Sequence, residues 1–163
     1  MDNKPDQCRH FNQPNFMLNS VPKEAQVSEH VDTFLRGEGN NIPLADGLQK
    51  QKRYWIGPVN FPLDRLVRSC GPEESMEYKE SEEGWNSRLN SLVKHIEGGG
   101  RFFPLIATYT DGLFSVRDGN HRYGALKKLG IKSHPTYIWS DTEELYRKAQ
   151  NETAVIISRQ GEK

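Results

Sequence analysis

Five consecutive residues, Asp118-Gly119-Asn120-His121-Arg122, bring together side chains that could hold an anion and work on it. Gly119 lets the backbone approach a ligand closely or take a positive φ. Arg122 carries a rigid fork of donors that suits phosphate oxygens. His121 can donate, accept or move a proton near neutral pH. Asn120 is a helix N-cap candidate, and Asp118 could bind a metal ion held by phosphates, or orient His121. A strand that ends in such a turn and opens a helix leaves backbone N–H groups without intrahelical partners. The helix dipole adds partial positive charge there, and such ends bind phosphate. Each residue also has a plainer role. Asp118-Gly119 reads equally as a turn, Asn120 as a cap, and Arg122 as the partner of an acidic residue. The grouping in one loop is what favours a site.

The flanking pattern supplies the strand and the helix. Phe103 to Tyr109 reads as a strand, Asp111-Gly112 as a hairpin turn, and Leu113 to Arg117 as the returning strand, which runs straight into the loop. A short helix from Tyr123 to Leu129 follows, ended by Gly130, and then a strand from Pro135 to Trp139. Upstream, Trp85, Leu89, Leu92, Val93 and Ile96 repeat at helical spacing. They predict a helix from about Glu82 to Glu97 that stops at Gly98-Gly99-Gly100. Tyr54 to Val59 reads as a first strand leading into Pro62-Leu63-Asp64-Arg65-Leu66. Arg68 to Glu74 reads as a loop broken by Gly71-Pro72. The acidic run from Glu73 to Glu83 reads by default as a solvated surface. Ser140 and Glu143 have capping-box spacing and open a last helix through about Gln150.

Residues 1–52 are polar, and residues 53–163 carry the denser pattern. In the first part a helix from about Ser28 to Arg36 is expected, with Val31, Phe34 and Leu35 on one face. This irregular extension reads as wrapping the core or contacting a partner protein, and equally as a partly unordered tail. The 163 residues are enough for one domain plus an extension, and the hydrophobic share is a low 34%. Lys plus Arg equals Asp plus Glu at 22 each, so no global positive charge favours nucleic acid. Cys8 and Cys70 lack metal-site spacing, and two cysteines so far apart do not suggest a disulfide framework. This usage fits a reducing compartment. No apolar run is long enough to span a membrane, and the start of the chain has no signal-peptide pattern. The expectation is a cytoplasmic protein.

From Trp55 to Trp139 the chain resembles the ParB/sulfiredoxin superfamily. The specific stretch is Val116-Arg117-Asp118-Gly119-Asn120-His121-Arg122-Tyr123-Gly124-Ala125-Leu126-Lys127-Lys128-Leu129-Gly130. Pro62 to Leu66, Gly98 to Gly100 and Pro104 to Ala107 add weaker support. The resemblance implies a compact α/β fold that binds a nucleotide, with phosphates at Gly119-Asn120-His121-Arg122. Sulfiredoxins carry a cysteine before the His-Arg pair, where Asn120 stands here, so their chemistry is not expected. ParB partition proteins use CTP and carry a helix-turn-helix domain, for which the two dozen or so residues after Trp139 leave no room. The Asp-Gly-x-His-Arg loop is most like that of the free-serine kinase branch. In that branch an acidic residue near the start of the domain is the catalytic base. Glu73 and Glu74 are the candidates for it, with Arg68 a further phosphate contact and Mg2+ bridging phosphate oxygens.

The expectation is therefore an α/β fold, a small mixed sheet with packed helices behind an irregular N-terminal extension. It would bind ATP or another nucleotide with Mg2+, through Asp118, Gly119, Asn120, His121, Arg122 and Arg68, with Asp118 as the metal ligand. Glu73, Glu74 and His121 would serve phosphoryl transfer to a small hydroxyl-bearing substrate. The alternative is a non-catalytic nucleotide-sensing or protein-interaction module. A nuclease or DNA-binding protein ranks third.

Overall fold

The computed structural model describes residues 26–160. Helices α1 (Val27–Arg36) and α2 (Ile42–Leu48) come first, then strand β1 (Tyr54–Pro62) and a 3-10 turn at Leu63–Arg65. Three two-residue strands follow: β2 (Val67–Arg68), β3 (Cys70–Gly71) and β4 (Tyr78–Lys79). Then come α3 (Glu82–Glu97), β5 (Leu105–Thr110), β6 (Leu113–Asp118), α4 (Asn120–Lys128), β7 (Ser133–Ser140) and α5 (Glu143–Gln160). Five strands form one mixed sheet in the order β1-β7-β5-β6-β2. β1 and β7 are antiparallel, as are β5 and β6, whereas β5 runs parallel to β7 and β2 parallel to β6. This is the small mixed α/β sheet with packed helices that the sequence predicts. β3 and β4 form a separate parallel pair.

Strand alternation divides the core between two faces. Leu105, Ala107 and Tyr109 of β5 and Ile138 of β7 point to one side. There they meet Tyr123 and Leu126 of α4 and Ala149 and Ile156 of α5. Ile106 of β5 and Tyr137 and Trp139 of β7 point to the other side, where α1 and α2 bury Val27, Val31, Phe34, Leu35, Ala45 and Leu48. The Phe34 ring stacks on Phe103 at 3.7 Å between centroids and 4° between planes. A sheet that is apolar on both faces must be covered on both, and α1 and α2 provide the second cover.

Several elements form for local reasons. Ser81 caps α3, its Oγ accepting the Gly84 N–H at 3.1 Å, and Trp85, Leu89 and Leu92 face inward. Asp111 and Gly112 take φ of 44° and 86°, the double positive that a tight two-residue hairpin uses. α1 lies where periodicity predicts it. The seven residues of α2 are too few to show a period. Asn41 caps this helix, accepting from Leu44 N–H, and Pro43 follows in its first turn.

Three local expectations are corrected. α4 begins at Asn120 rather than Tyr123, and the stretch read as a loop after Arg68 contains β3. Ser140 belongs to β7, paired with Tyr54, so it does not cap the last helix. Thr142 does, its Oγ1 accepting Leu145 N–H at 3.1 Å, and that helix runs on to Gln160 with Thr153 and Ile156 inward. No helix among the described residues is long and apolar enough to cross a membrane.

Candidate functional site at the start of helix α4

β6 ends at Asp118, and Gly119 turns the chain into α4 with φ of +99° as the N-cap. Glycine is required here twice over. The dihedral is left-handed, and a Cβ would lie 2.6 Å from Arg122 Nη2 and 2.8 Å from Leu105 Cδ2. Gly119 has no side chain to cap the helix, and the first N–H groups of a helix have no intrahelical acceptor.

Asn120 is the first helical residue and not the cap. Its Oδ1 accepts from the Ser69 N–H at 2.9 Å and the Cys70 N–H at 3.2 Å. Its Nδ2 donates to Ser69 Oγ at 3.2 Å. This buried amide therefore ties the β2–β3 segment to the start of α4. Ser69 Oγ in turn donates to the Val116 carbonyl at 2.6 Å.

Arg122 is completely buried. Its Nη2 donates to Asp118 Oδ2 at 2.7 Å, and its Nη1 donates to the carbonyls of Phe103 and Pro104. Asn41 Nδ2 donates to the other Asp118 oxygen at 2.9 Å. Burial pulls the guanidinium down to about 10, opposed by the Asp118 charge. The Phe34 ring lies 5.6 Å from it. Of the two roles open to Arg122 in the sequence, the geometry has the pairing with an acidic residue, and that residue belongs to the same loop. Asp118 is 4% exposed with both oxygens bonded. That setting is unlike the water-rich oxygen shell that magnesium keeps, so Asp118 does not fit the role of magnesium ligand.

His121 faces the opposite way. Its Nε2 lies 2.6 Å from Glu80 Oε2, with both side chains buried. Glu80 Oε1 is held by Arg88 Nη1 at 2.8 Å. The Trp85 ring lies 4.9 Å from the His121 ring and is also 4.9 Å from the Arg68 guanidinium. Arg68 donates through Nη2 to Glu73 at 2.5 Å, whereas its buried Nη1 has no hydrogen-bond partner. The bond to Arg68 holds the Glu73 carboxyl below its usual range, partly offset by burial. Glu74 is exposed and pairs with Lys79.

The structure thus places His121 and Arg68 each 4.9 Å from the Trp85 ring, and turns Asp118 and Arg122 into the core. Glu73 reaches Arg68 but has no bond to the loop, and Glu74 points to solvent. The carboxylate that meets the loop is Glu80, concealed in the sequence among the acidic residues from 73 to 83. The one signal that could have found it is position: Glu80 precedes the Ser81 cap of α3, the helix whose Trp85 packs on His121. Cys70 also reaches this place. Its sulfur, Glu80 and His121 offer ligand atoms that all lie within 4.8 Å of one another. Cys70 is disulfide-bonded, against expectation, and Cys8 lies outside the described residues. A cleft of about 360 Å3 elsewhere, lined by Ile96, Phe102, Leu126, Ile131 and His134 among others, includes no residue of the loop.

No protein-family model matches the chain, and no curated protein matches it either. Among solved structures the chain is similar to sulfiredoxin from Arabidopsis thaliana. That match has 26% identity and a TM-score of 0.40, over 55% of this chain and 92% of that one. It is also similar to a free serine kinase in complex with AMP, at 22% identity and a TM-score of 0.36, over 55% of this chain and 31% of the kinase. A third similarity is to the C-terminally truncated chromosome-partitioning protein ParB from Caulobacter crescentus complexed with CTP-gamma-S. It has 18% identity and a TM-score of 0.38, over 56% of this chain and 48% of that one. The chain thus spans about a third of the kinase and about half of the partitioning protein.

Proposed function

We propose that this chain is a nucleotide-binding ParB-like protein that takes phosphates at the start of α4 and transfers a phosphoryl group to a small hydroxyl-bearing substrate. The observation that carries the reading is the buried 2.6 Å contact between His121 and Glu80. It puts a carboxylate and an imidazole beside the first turn of α4, and the Arg68 guanidinium lies on the same Trp85 ring that packs on His121; phosphoryl transfer uses groups of these types. The Asp118-Gly119-Asn120-His121-Arg122 order, similar to the kinase loop, supports it.

The chain's own residues divide the work as follows. Backbone N–H groups at Asn120 and His121 bind phosphate oxygens, with the left-handed Gly119 leaving the approach open. Arg68 Nη1 supplies a further donor, since it is buried without a hydrogen-bond partner and costs free energy until it finds one. A bound nucleoside triphosphate supplies the phosphoryl group. Glu80, through His121, accepts the proton of the acceptor hydroxyl, in place of the Glu73 or Glu74 that the resemblance to the kinase branch implies. Arg122 and Asp118 position the loop from behind.

Calorimetric titration with ATP, ADP and CTP, on wild type and on Arg68→Ala, tests this. Binding weakened at least about tenfold in a variant that remains folded is the expected result, as for loss of a charge-assisted hydrogen bond. If wild type binds none of the three, the nucleotide reading is wrong. Binding without any turnover favours the alternative, a nucleotide-sensing or protein-interaction module.

A further inference from the structure

We propose that the reduced protein binds a zinc-class divalent ion through Cys70 Sγ, Glu80 Oε2 and His121 Nε2. This inference does not rest on nucleotide binding. Three different elements deliver the three groups. Cys70 stands on β3, where its backbone N–H is fixed by Asn120. Glu80 follows β4, its N–H bonded to the Gly71 carbonyl at 2.9 Å. His121 is in the first turn of α4. The side chains are all buried or nearly so, and the possible ligand atoms lie within 4.8 Å of one another. Zinc bonds of about 2.0–2.3 Å in a tetrahedron put ligand atoms roughly 3.3–3.7 Å apart. The sulfur therefore moves inward by about an ångström, and the Glu80–His121 contact opens by somewhat less.

The donor types and charges fit. Thiolate, imidazole and carboxylate are the ligands zinc prefers, and three protein ligands leave a fourth position open. A thiolate and a carboxylate carry two negative charges, which a divalent ion neutralises. A buried cluster so balanced avoids the desolvation cost of unpaired charge. Arg88 on Glu80 Oε1 fixes the carboxylate so that Oε2 faces inward, the kind of outer contact that orients a ligand.

The disulfide at Cys70 makes the site conditional. A disulfide sulfur has no thiolate charge and is not a ligand for zinc. Reduction by a phosphine breaks the S–S bond. The phosphine is oxidised to its oxide with the oxygen of one water, and the two thiols take up the two protons and two electrons. On binding the metal, the Cys70 thiol releases its proton to solvent, and so does His121 if it is protonated.

The test uses the full chain, reduced anaerobically with a phosphine that is then removed, and titrated with Co2+. The expected result is one cobalt per chain with a thiolate-to-cobalt charge-transfer band, displaced by Zn2+. The band is lost in Cys70→Ser, and affinity falls at least about tenfold in His121→Ala and in the near-isosteric Glu80→Gln. It persists in Cys8→Ser, and it is missing before reduction. Far-UV circular dichroism confirms that each variant is folded. No thiolate band in the folded, reduced wild type overturns the proposal, as does a band that survives Cys70→Ser. Nucleotide takes no part in these measurements, so their failure leaves the phosphate reading untouched.

Discussion

Arg122 Nη2 and Asp118 Oδ2 meet at 2.7 Å with 0% and 3% of their side chains exposed, so the arginine of the loop is spent on the protein's own interior. Its other terminal nitrogen joins the chain entering β5 at Phe103 and Pro104. The pair therefore welds β5, the end of β6 and α4 into one unit. The helix N-terminus and His121 are held from behind by charge that no ligand needs to touch.

Removing one partner of such a pair leaves a buried, uncompensated charge. Arg122→Ala is expected to cost about 3–5 kcal/mol, read as a lowered midpoint in urea unfolding. A loss below about 1 kcal/mol, coupled to loss of nucleotide affinity, would instead return Arg122 to a phosphate-binding role.

Glu80→Gln keeps the shape of the side chain and removes its capacity to accept a proton. Phosphoryl-transfer turnover is expected to fall by about 10²–10⁴-fold, with nucleotide affinity little changed in calorimetry. Glu73→Gln and Glu74→Gln serve as comparisons, and full activity is expected in Glu74→Gln, whose side chain lies in solvent. Equal losses in Glu80→Gln and Glu74→Gln would remove Glu80 from the reaction.

His134 gives stability a pH dependence. Burial, with help from the Arg122 charge, pushes its imidazole down to about 4, partly offset by a bond to the Phe103 backbone. The unfolded chain, with an ordinary value near 6.5, therefore binds the proton more readily than the folded one. Its contribution is fully present above about pH 6.5 and is lost as pH falls toward 4, at no more than about 1.4 kcal/mol per pH unit. Urea unfolding of wild type and His134→Gln across this range should show the shallower slope in the variant. Parallel curves would mean that the imidazole titrates alike in both states.

Phe34 tests whether α1 belongs to the core. Its ring stacks on Phe103 and is 1% exposed. Phe34→Ala is expected to destabilise the whole protein by about 3–5 kcal/mol in a single unfolding transition. A loss under about 1 kcal/mol, or a separate early transition, would make α1 an appendage of the sheet.

Asn120→Ala strips the acceptor from two buried N–H groups, those of Ser69 and Cys70. The expected cost is about 1–3 kcal/mol. Because the β2–β3 segment carries Arg68, phosphate affinity should weaken as well, measured by the same calorimetry.

What was legible in the sequence was local. The span of α3 follows from the apolar period between Trp85 and Ile96 and the Gly98-Gly99-Gly100 stop, all within one helix length. The β5–β6 hairpin follows from Asp111-Gly112, since the turn needs two positive φ angles. The strand–loop–helix order around Gly119 follows from the same short-range chemistry. α2 was not legible, because seven residues cannot display a helical period, and its apolar side is defined only by the sheet it covers. Ser140 misled because the spacing that makes a cap also occurs at the end of a strand.

Which residues stand in the loop, their order, and the turn that opens a helix there can all be read along the chain, because caps, turns and periods act between near neighbours. The direction in which each side chain turns is set by contacts between distant segments. Arg122 goes inward because two β5-side carbonyls, Asp118 and Asn41 build a polar niche for it beneath Phe34, from segments as far apart as residues 34 and 122. Glu80 rather than Glu73 or Glu74 meets His121 because the Gly71–Glu80 backbone bond and the Arg88 ion pair aim it there. Carboxylates are alike in sequence, and burial with fixed partners is what distinguishes them.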